Sequence, residues 1–185
     1  MNENILSDRE MRDILKIVND NNHYPSLPAY RKTAAVSLAA VTLCGQHLEY
    51  VPEWVISNEF VGKEICRTAL GAKDADCSIL PYIPFVDVQK EGVQRFSDNT
   101  PAFVLYSFTD IRDAEMARNA VKADAYCIQL VPNELLTKNL CRMALQSPNT
   151  DETVSRFVEE RFPELKTVQI SKNEKNEQKS GMKMN

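Results

Sequence analysis

Cysteine and histidine carry the sharpest chemistry in this sequence, so their spacing is weighed first. The cysteines are Cys44, Cys66, Cys77, Cys127 and Cys141, and the histidines are His23 and His47. A nucleophilic thiol needs a basic neighbour to hold it as thiolate, and a Cys–His pair is formally available. His23, however, falls in the asparagine- and proline-rich run 21–28, while His47 shares a repeat column with Ile79, Phe103 and Cys127. Cys66 and Cys141 fall in a column of small residues, where a thiol acts as a compact hydrophobe. A zinc site could be drawn from Cys44-x-x-His47 with Cys66 and Cys77, but these last two are eleven residues apart, whereas four-coordinate sites come as paired short knuckles. The expectation is structural cysteines, with no catalytic residue, no metal and no cofactor. A small Cys/His-dependent enzyme is the weaker alternative.

Arginine offers a different chemistry. Arg67, Arg118 and Arg142 each stand two residues before a recurring Ala position, on the face opposite the apolar one. Stacked helices would set them about 8–10 Å apart, a ladder able to grip acidic peptide or phosphate by forked hydrogen bonds. These three are the candidate partner-binding surface. The simpler reading is local pairing, because Glu64 and Glu115 precede Arg67 and Arg118 by three residues. Trp54, Tyr50, Tyr82 and Tyr106 could line an aromatic surface, but their repeat positions place them in the core between units. Gly-rich phosphate loops, GxSxG elbows, HExxH and DxDxDG loops are missing from the sequence.

The elements that must position these groups are helical. Residues 7–19 form an opening helix, with Ser7 and Glu10 at capping-box spacing and Met11, Ile14, Leu15 and Val18 on one face. After the break at 21–28, a second helix starts near Ala29 and runs to about Leu43. From there the chain repeats itself. The pairs Ala40-Val41, Ala69-Leu70, Arg95-Phe96, Ala120-Val121 and Ala144-Leu145 follow at steps of 29, 26, 25 and 24 residues. Four residues before each pair stand Val36, Ile65, Glu91, Met116 and Leu140; three before it stand Ser37, Cys66, Gly92, Ala117 and Cys141. These positions share a helix face, large residues for burial and small ones for close approach. Each pair is followed by a shorter pattern: Leu48-Glu49-Tyr50-Val51-Pro52, Leu80-Pro81-Tyr82-Ile83-Pro84, Val104-Leu105-Tyr106-Ser107-Phe108 and Ile128-Gln129-Leu130-Val131-Pro132. It reads as a short second helix leading into a connector. The third unit, about 88–108, is irregular, with Glu91, Gly92 and Arg95 in its columns.

The Asp113-x-Glu115 and Ala120-Val121 run through Ile128, Val131 and Pro132, matched by Ala40, Val41, Leu48, Tyr50, Val51 and Pro52, carries a family resemblance. It resembles the short α-helical repeats grouped as domain of unknown function 4116, over roughly residues 33–145. The resemblance implies architecture only, since that family brings no assigned activity.

The expected fold is all-α: a right-handed, solenoid-like array of about five helix–short-helix units with capping helices at both ends. A single domain spans residues 1–170, with repeats over about 29–148 and a closing helix over about 150–162. Residues 171–185, with almost no large apolar content, are expected to be disordered. Five glycines in 185 residues are few for an all-β chain. A net charge of −4 without a dense basic run argues against nucleic acid. No apolar run approaches the ~18 residues of a membrane span, and the start lacks the basic and apolar regions of a signal peptide. With an odd set of cysteines and no CxxC, a cytoplasmic protein without disulfides is expected. The functional expectation is a non-enzymatic protein–protein interaction module for an unknown protein or peptide. The alternative is an immunity-like or inhibitor protein binding one specific basic partner.

Overall fold

The computed structural model describes residues 6–165, and every regular element among them is helical. The ten α-helices are α1 (Asp8–Asn19), α2 (His23–Ser26), α3 (Ala34–Leu43), α4 (Glu53–Ile56), α5 (Glu59–Gly71), α6 (Val86–Phe96), α7 (Ala102–Ser107), α8 (Ala114–Ala123), α9 (Lys138–Gln146) and α10 (Glu152–Arg161). Three of the longer helices, α3, α5 and α8, each lead into a 3-10 turn: Gly45–Tyr50, Cys77–Tyr82 and Ala125–Leu130. The chain gathers into two compact units. The first runs to Pro101 and includes Phe108–Asp110; the second holds Ala102–Ser107 and the chain from Ile111 onward. The tail expected at 171–185 lies outside the described residues.

In the first unit the capping box forms as its spacing requires. The Glu10 amide donates to Ser7 Oγ at 3.2 Å, and the Ser7 amide donates to Glu10 Oε2 at 2.9 Å. The buried face of α1 differs from the expected one. Ile17 and Asp13 are buried, while Met11, Leu15 and Val18 remain exposed. The cause is nonlocal. Arg31 reaches back to grip both carboxylate oxygens of Asp13, and Thr33 donates to Glu10 Oε1 at 2.7 Å. The two-pronged guanidinium gives the buried Asp13 carboxylate the partner it needs on the inward face, beside Ile17. The expected second helix is shortened: Ala29–Arg31 is a 3-10 turn, and α3 begins after its cap, Thr33.

The small-residue columns are buried as their spacing implies. Val36, Ser37, Ala40 and Val41 of α3 are buried, as are Ile65, Cys66, Ala69 and Leu70 of α5. In the second unit, Met116, Ala117, Ala120 and Val121 of α8 are buried, with Leu140, Cys141 and Ala144 of α9. The irregular third helix has a definite geometry. On α6 the buried residues are Val88, Gln89, Gly92 and Phe96, so Glu91 and Arg95 face outward. A Cβ at Gly92 would lie 2.5 Å from Leu80 Cδ2 and 2.9 Å from Leu70 Cδ2. A side chain there would have to push the ends of these two leucines aside, and glycine leaves them in place.

A recurring bond ties successive segments together. Gly45 and Ala125 follow Ala40 and Ala120 by five residues, as Asp74 and Asn149 follow Ala69 and Ala144. The Gly45 amide donates to Asp74 Oδ1 at 3.0 Å, and the Ala125 amide donates to Asn149 Oδ1 at 3.4 Å. The same position of the following segment thus satisfies the first amide of a 3-10 turn, a donor that has no partner within its own turn. Asn149 also donates to Asp124 Oδ1 at 2.7 Å. Asp151 caps α10 through the Thr153 and Val154 amides and receives the Tyr126 hydroxyl.

Several aromatics expected inside are at the surface. Tyr50 is 41% exposed, Tyr82 39% and Trp54 58%, whereas Tyr106 is buried. The buried residues of the 3-10 turns include Leu48, Leu80 and Ile128, two positions before Tyr50, Tyr82 and Leu130. A step of two places along a helical turn, whether α or 3-10, carries a side chain well away from the side of the first. In the third copy an α-helix, α7, replaces the 3-10 turn, and Leu105 and Tyr106 are buried in place of the aligned Val104.

Two outcomes follow. Ala120, fully buried, leaves no room for a charge, so Ala120→Glu should destabilise the fold by about 3 kcal/mol or more in urea unfolding. Asp74→Ala and Asn149→Ala should each lower stability by about 1–2 kcal/mol through the orphaned amide. Asp74→Asn, which keeps an acceptor, should cost less, and equal losses for Ala and Asn would show that the amide bond is not the cause.

Candidate functional site

Position two before the recurring alanine sends a side chain out of the helix packing, and Arg67, Arg118 and Arg142 are all exposed. Their surroundings differ. Arg67 lies in the first unit, on α5, and is held by the neighbouring helix α6. Its Nη2 lies 2.8 Å from Glu91 Oε1 and 3.5 Å from Asp87 Oδ2, and its Nε donates to Glu91 Oε2 at 3.0 Å. Lys63 completes the network at 3.0 Å from Asp87 and 3.1 Å from Glu59. The Arg67 guanidinium holds the Glu91 carboxyl below its ordinary range. Local pairing with Glu64 is therefore replaced by a clamp between helices. A recess of about 720 Å3 runs along the same face of α5, past Phe60, Lys63, Arg67 and Thr68, but its bases are already committed to carboxylates.

The second unit is different. Arg118 and Arg142 lie on the packed neighbours α8 and α9. Arg142 donates to Asn139 Oδ1 at 3.0 Å. Its charge also adds to that of Lys138, whose Nζ lies 2.6 Å from Glu164 Oε1 and holds that carboxyl low. Arg118 makes no hydrogen bond or ion pair among the described residues, so the expected pairing with Glu115 does not form. It borders a recess of about 310 Å3 whose walls include Ala114, Leu135, Thr137, Leu140 and Met143. A second recess, about 230 Å3, continues along the same pair of helices past Val121, Lys122, Met143 and Gln146. Met143 lines both.

Lys122 and Met143 were missed in the sequence, although one signal was present. Lys122 follows Arg118 by four residues, the spacing of neighbours on a helix face. The part of Met143 could not be read, because it depends on which side of α9 meets α8.

The thiols and histidines do not come together as a reactive pair. Burial pushes the Cys66 and Cys127 thiols up to about 12 and the Cys141 thiol up to about 11. Burial also raises Cys44, and the Asp74 carboxylate beside it adds to the effect. All five cysteines are free. His47 is buried, with Nδ1 3.2 Å from the Ala40 carbonyl oxygen and its ring 5.4 Å from that of Tyr24. Tyr24 donates to Ser37 Oγ at 2.9 Å, and the Lys32 ammonium lies 5.0 Å from the Tyr24 ring centre and 5.5 Å from that of Tyr50. This polar cluster is internally satisfied and belongs to the packing of α2, α3 and the first 3-10 turn. No group of three or more His, Cys, Asp or Glu side chains able to hold a metal occurs among the described residues. No helix among them is long and apolar enough to cross a membrane.

Comparison with family models, with curated proteins and with solved structures finds no match.

The thiol environments have a direct consequence. A thiol raised well above its ordinary value by burial is protonated and shielded at pH 8, so Cys66, Cys127 and Cys141 should resist a disulfide reagent in the native state. Cys44 and Cys77, both partly exposed, should be the only ones to react before unfolding. Prompt native labelling of Cys66 or Cys127, read by peptide mapping, would contradict the burial that raises them.

Proposed function

We propose that this chain is a non-enzymatic protein–protein interaction module, built as a right-handed, solenoid-like stack of about five helix–short-helix units with capping helices. The reading is supported by the three helix-to-3-10 passages, by the equivalent amide bonds from Gly45 to Asp74 and from Ala125 to Asn149, and by the buried columns on α3, α5, α8 and α9. The stack is of the same kind as the domain of unknown function 4116 repeats that the sequence resembles. Five free cysteines, the raised ones shielded by burial, agree with a reducing cytoplasm.

The observation that carries the functional reading is Arg118. A guanidinium with five donors has no partner among the described residues and lies beside a largely apolar recess, whereas its counterpart Arg67 is held by two carboxylates. Surface that is both apolar and supplied with open donors suits a macromolecular partner better than solvent alone. The test is site-specific photo-crosslinking in cells of the source organism, with benzoylphenylalanine placed at Asn119 on α8 or at Glu64 on α5. A discrete protein adduct from position 119, weaker or missing from 64, is the expected result. Failure of both positions to yield any discrete adduct would remove the basis of the proposal.

A further inference from the structure

Helices α8 and α9 carry four bases, Arg118, Lys122, Lys138 and Arg142, and one acid, Glu115. The chain as a whole has a net charge of −4, so these helices run against the general balance. Three nearby acids are occupied: Asp113 caps α8 through the Met116 amide, Asp124 accepts from the Tyr126 amide and from Asn149, and Glu115 has its own partner, while Glu134 stands exposed beside Leu135. Of the bases, Lys138 is taken up by Glu164 and Arg142 by Asn139. Arg118 and Lys122, one turn apart on the same helix, have no partner among the described residues, and each borders one of the two recesses that share Met143.

We propose that the α8–α9 groove binds a short, extended, acidic segment of a partner protein that carries two aliphatic or methionine side chains. The inference rests on the interaction-module reading and gives its partner a chemistry. From Ala114 to Lys122 the groove runs about 12 Å at the helical rise of ~1.5 Å per residue, enough for about four residues of extended chain at ~3.3 Å each. Side chains alternate along such a segment. Two apolar ones enter the recesses on either side of Met143, whose unbranched thioether adapts to differing shapes. The recesses, about 310 and 230 Å3, each have room for one large aliphatic side chain. Carboxylates on the segment meet Arg118, which can take one through two parallel N–H donors, and Lys122, which takes one as a point charge. The Thr137 hydroxyl, whose oxygen accepts from the Leu140 amide at 3.2 Å, keeps its proton for a backbone carbonyl of the segment. This chemistry selects against a basic partner at this face, because Arg118 and Lys122 would repel it.

The probe is a phage-displayed library of random twelve-residue peptides, selected on the full-length protein. Enriched peptides are then made as fluorescein conjugates and measured by anisotropy. The expected result is enrichment of peptides with two or more Asp or Glu residues around Leu, Ile or Met. Their affinity should fall about tenfold or more on Arg118→Glu with Lys122→Glu, and should be unchanged on Arg67→Glu. It should also weaken as salt rises from about 0.05 to about 0.5 M, as screening shortens the reach of charge. Both substituted residues are exposed, and an unchanged melt of the double variant guards against misfolding; if it melts early, Arg118→Gln with Lys122→Gln replaces it. Enriched peptides without acidic residues, or with undiminished affinity for the charge-reversed variant, would overturn the groove assignment and leave the interaction-module reading in place. No enrichment at all would overturn both.

Discussion

Within each unit, the packed pairs α3–α5, α5–α6 and α8–α9 carry buried residues no larger than cysteine at equivalent places, and the closeness this allows governs much of what surrounds them. Ser37, Cys66, Gly92, Ala117 and Cys141 hold equivalent places on five helices, with Ala40, Ala69, Ala120 and Ala144 one turn further along on four of them. Small side chains bring backbones together, so the interior between helices is thin and each added atom meets a neighbour. Gly45 shows the same limit at the start of a 3-10 turn. A Cβ there would come within 2.7 Å of the Ala69 carbonyl oxygen. A thin interior also excludes water from the thiols within it, which is why the thiols of Cys66, Cys127 and Cys141 are raised. Their chemistry is suppressed by the packing that uses them.

Where the packing column is interrupted, electrostatics takes over. Glu91 occupies a position that is apolar in the other helices, and α6 turns so that Gly92 and Phe96 face inward and Glu91 faces Arg67. A surface ion pair alone contributes little, but Lys63, Asp87, Arg67 and Glu91 form a network joining α5 to α6. In the second unit the helix after α8 is α9, and its corresponding position is the apolar Leu140, which offers Arg118 no carboxylate. Among the described residues Arg118 is left open. The contrast between two arginines in equivalent positions arises from what the next helix presents, and from nothing in their own helices.

Much of the fold was legible in local pattern. The capping box at Ser7 and the helical columns both follow from spacing along one helix. The rotation of α1 was not legible, because its apolar stripe Met11–Leu15–Val18 and its buried pair Asp13–Ile17 are both at helical period. Which of them faces inward is decided by Arg31, eighteen residues away. The 3-10 geometry of the short segments was equally hidden. The outward direction of Tyr50 and Tyr82 does not depend on it, because a step of two places along a helix of either kind leads well away from buried Leu48 and Leu80.

The candidate groove divides along the same line. Residue types and their order determined that the chain is helical, that small residues would be buried, and that Arg67, Arg118 and Arg142 would lie outside, since each of these follows from the angle between neighbouring residues on one helix. Tertiary structure alone decided that Arg67 is clamped and Arg118 is open, and that Met143 lies between two recesses beside Lys122. The physical reason is that an ion pair or a recess needs two elements at a fixed separation, and one helix carries no information about the face its neighbour turns toward it.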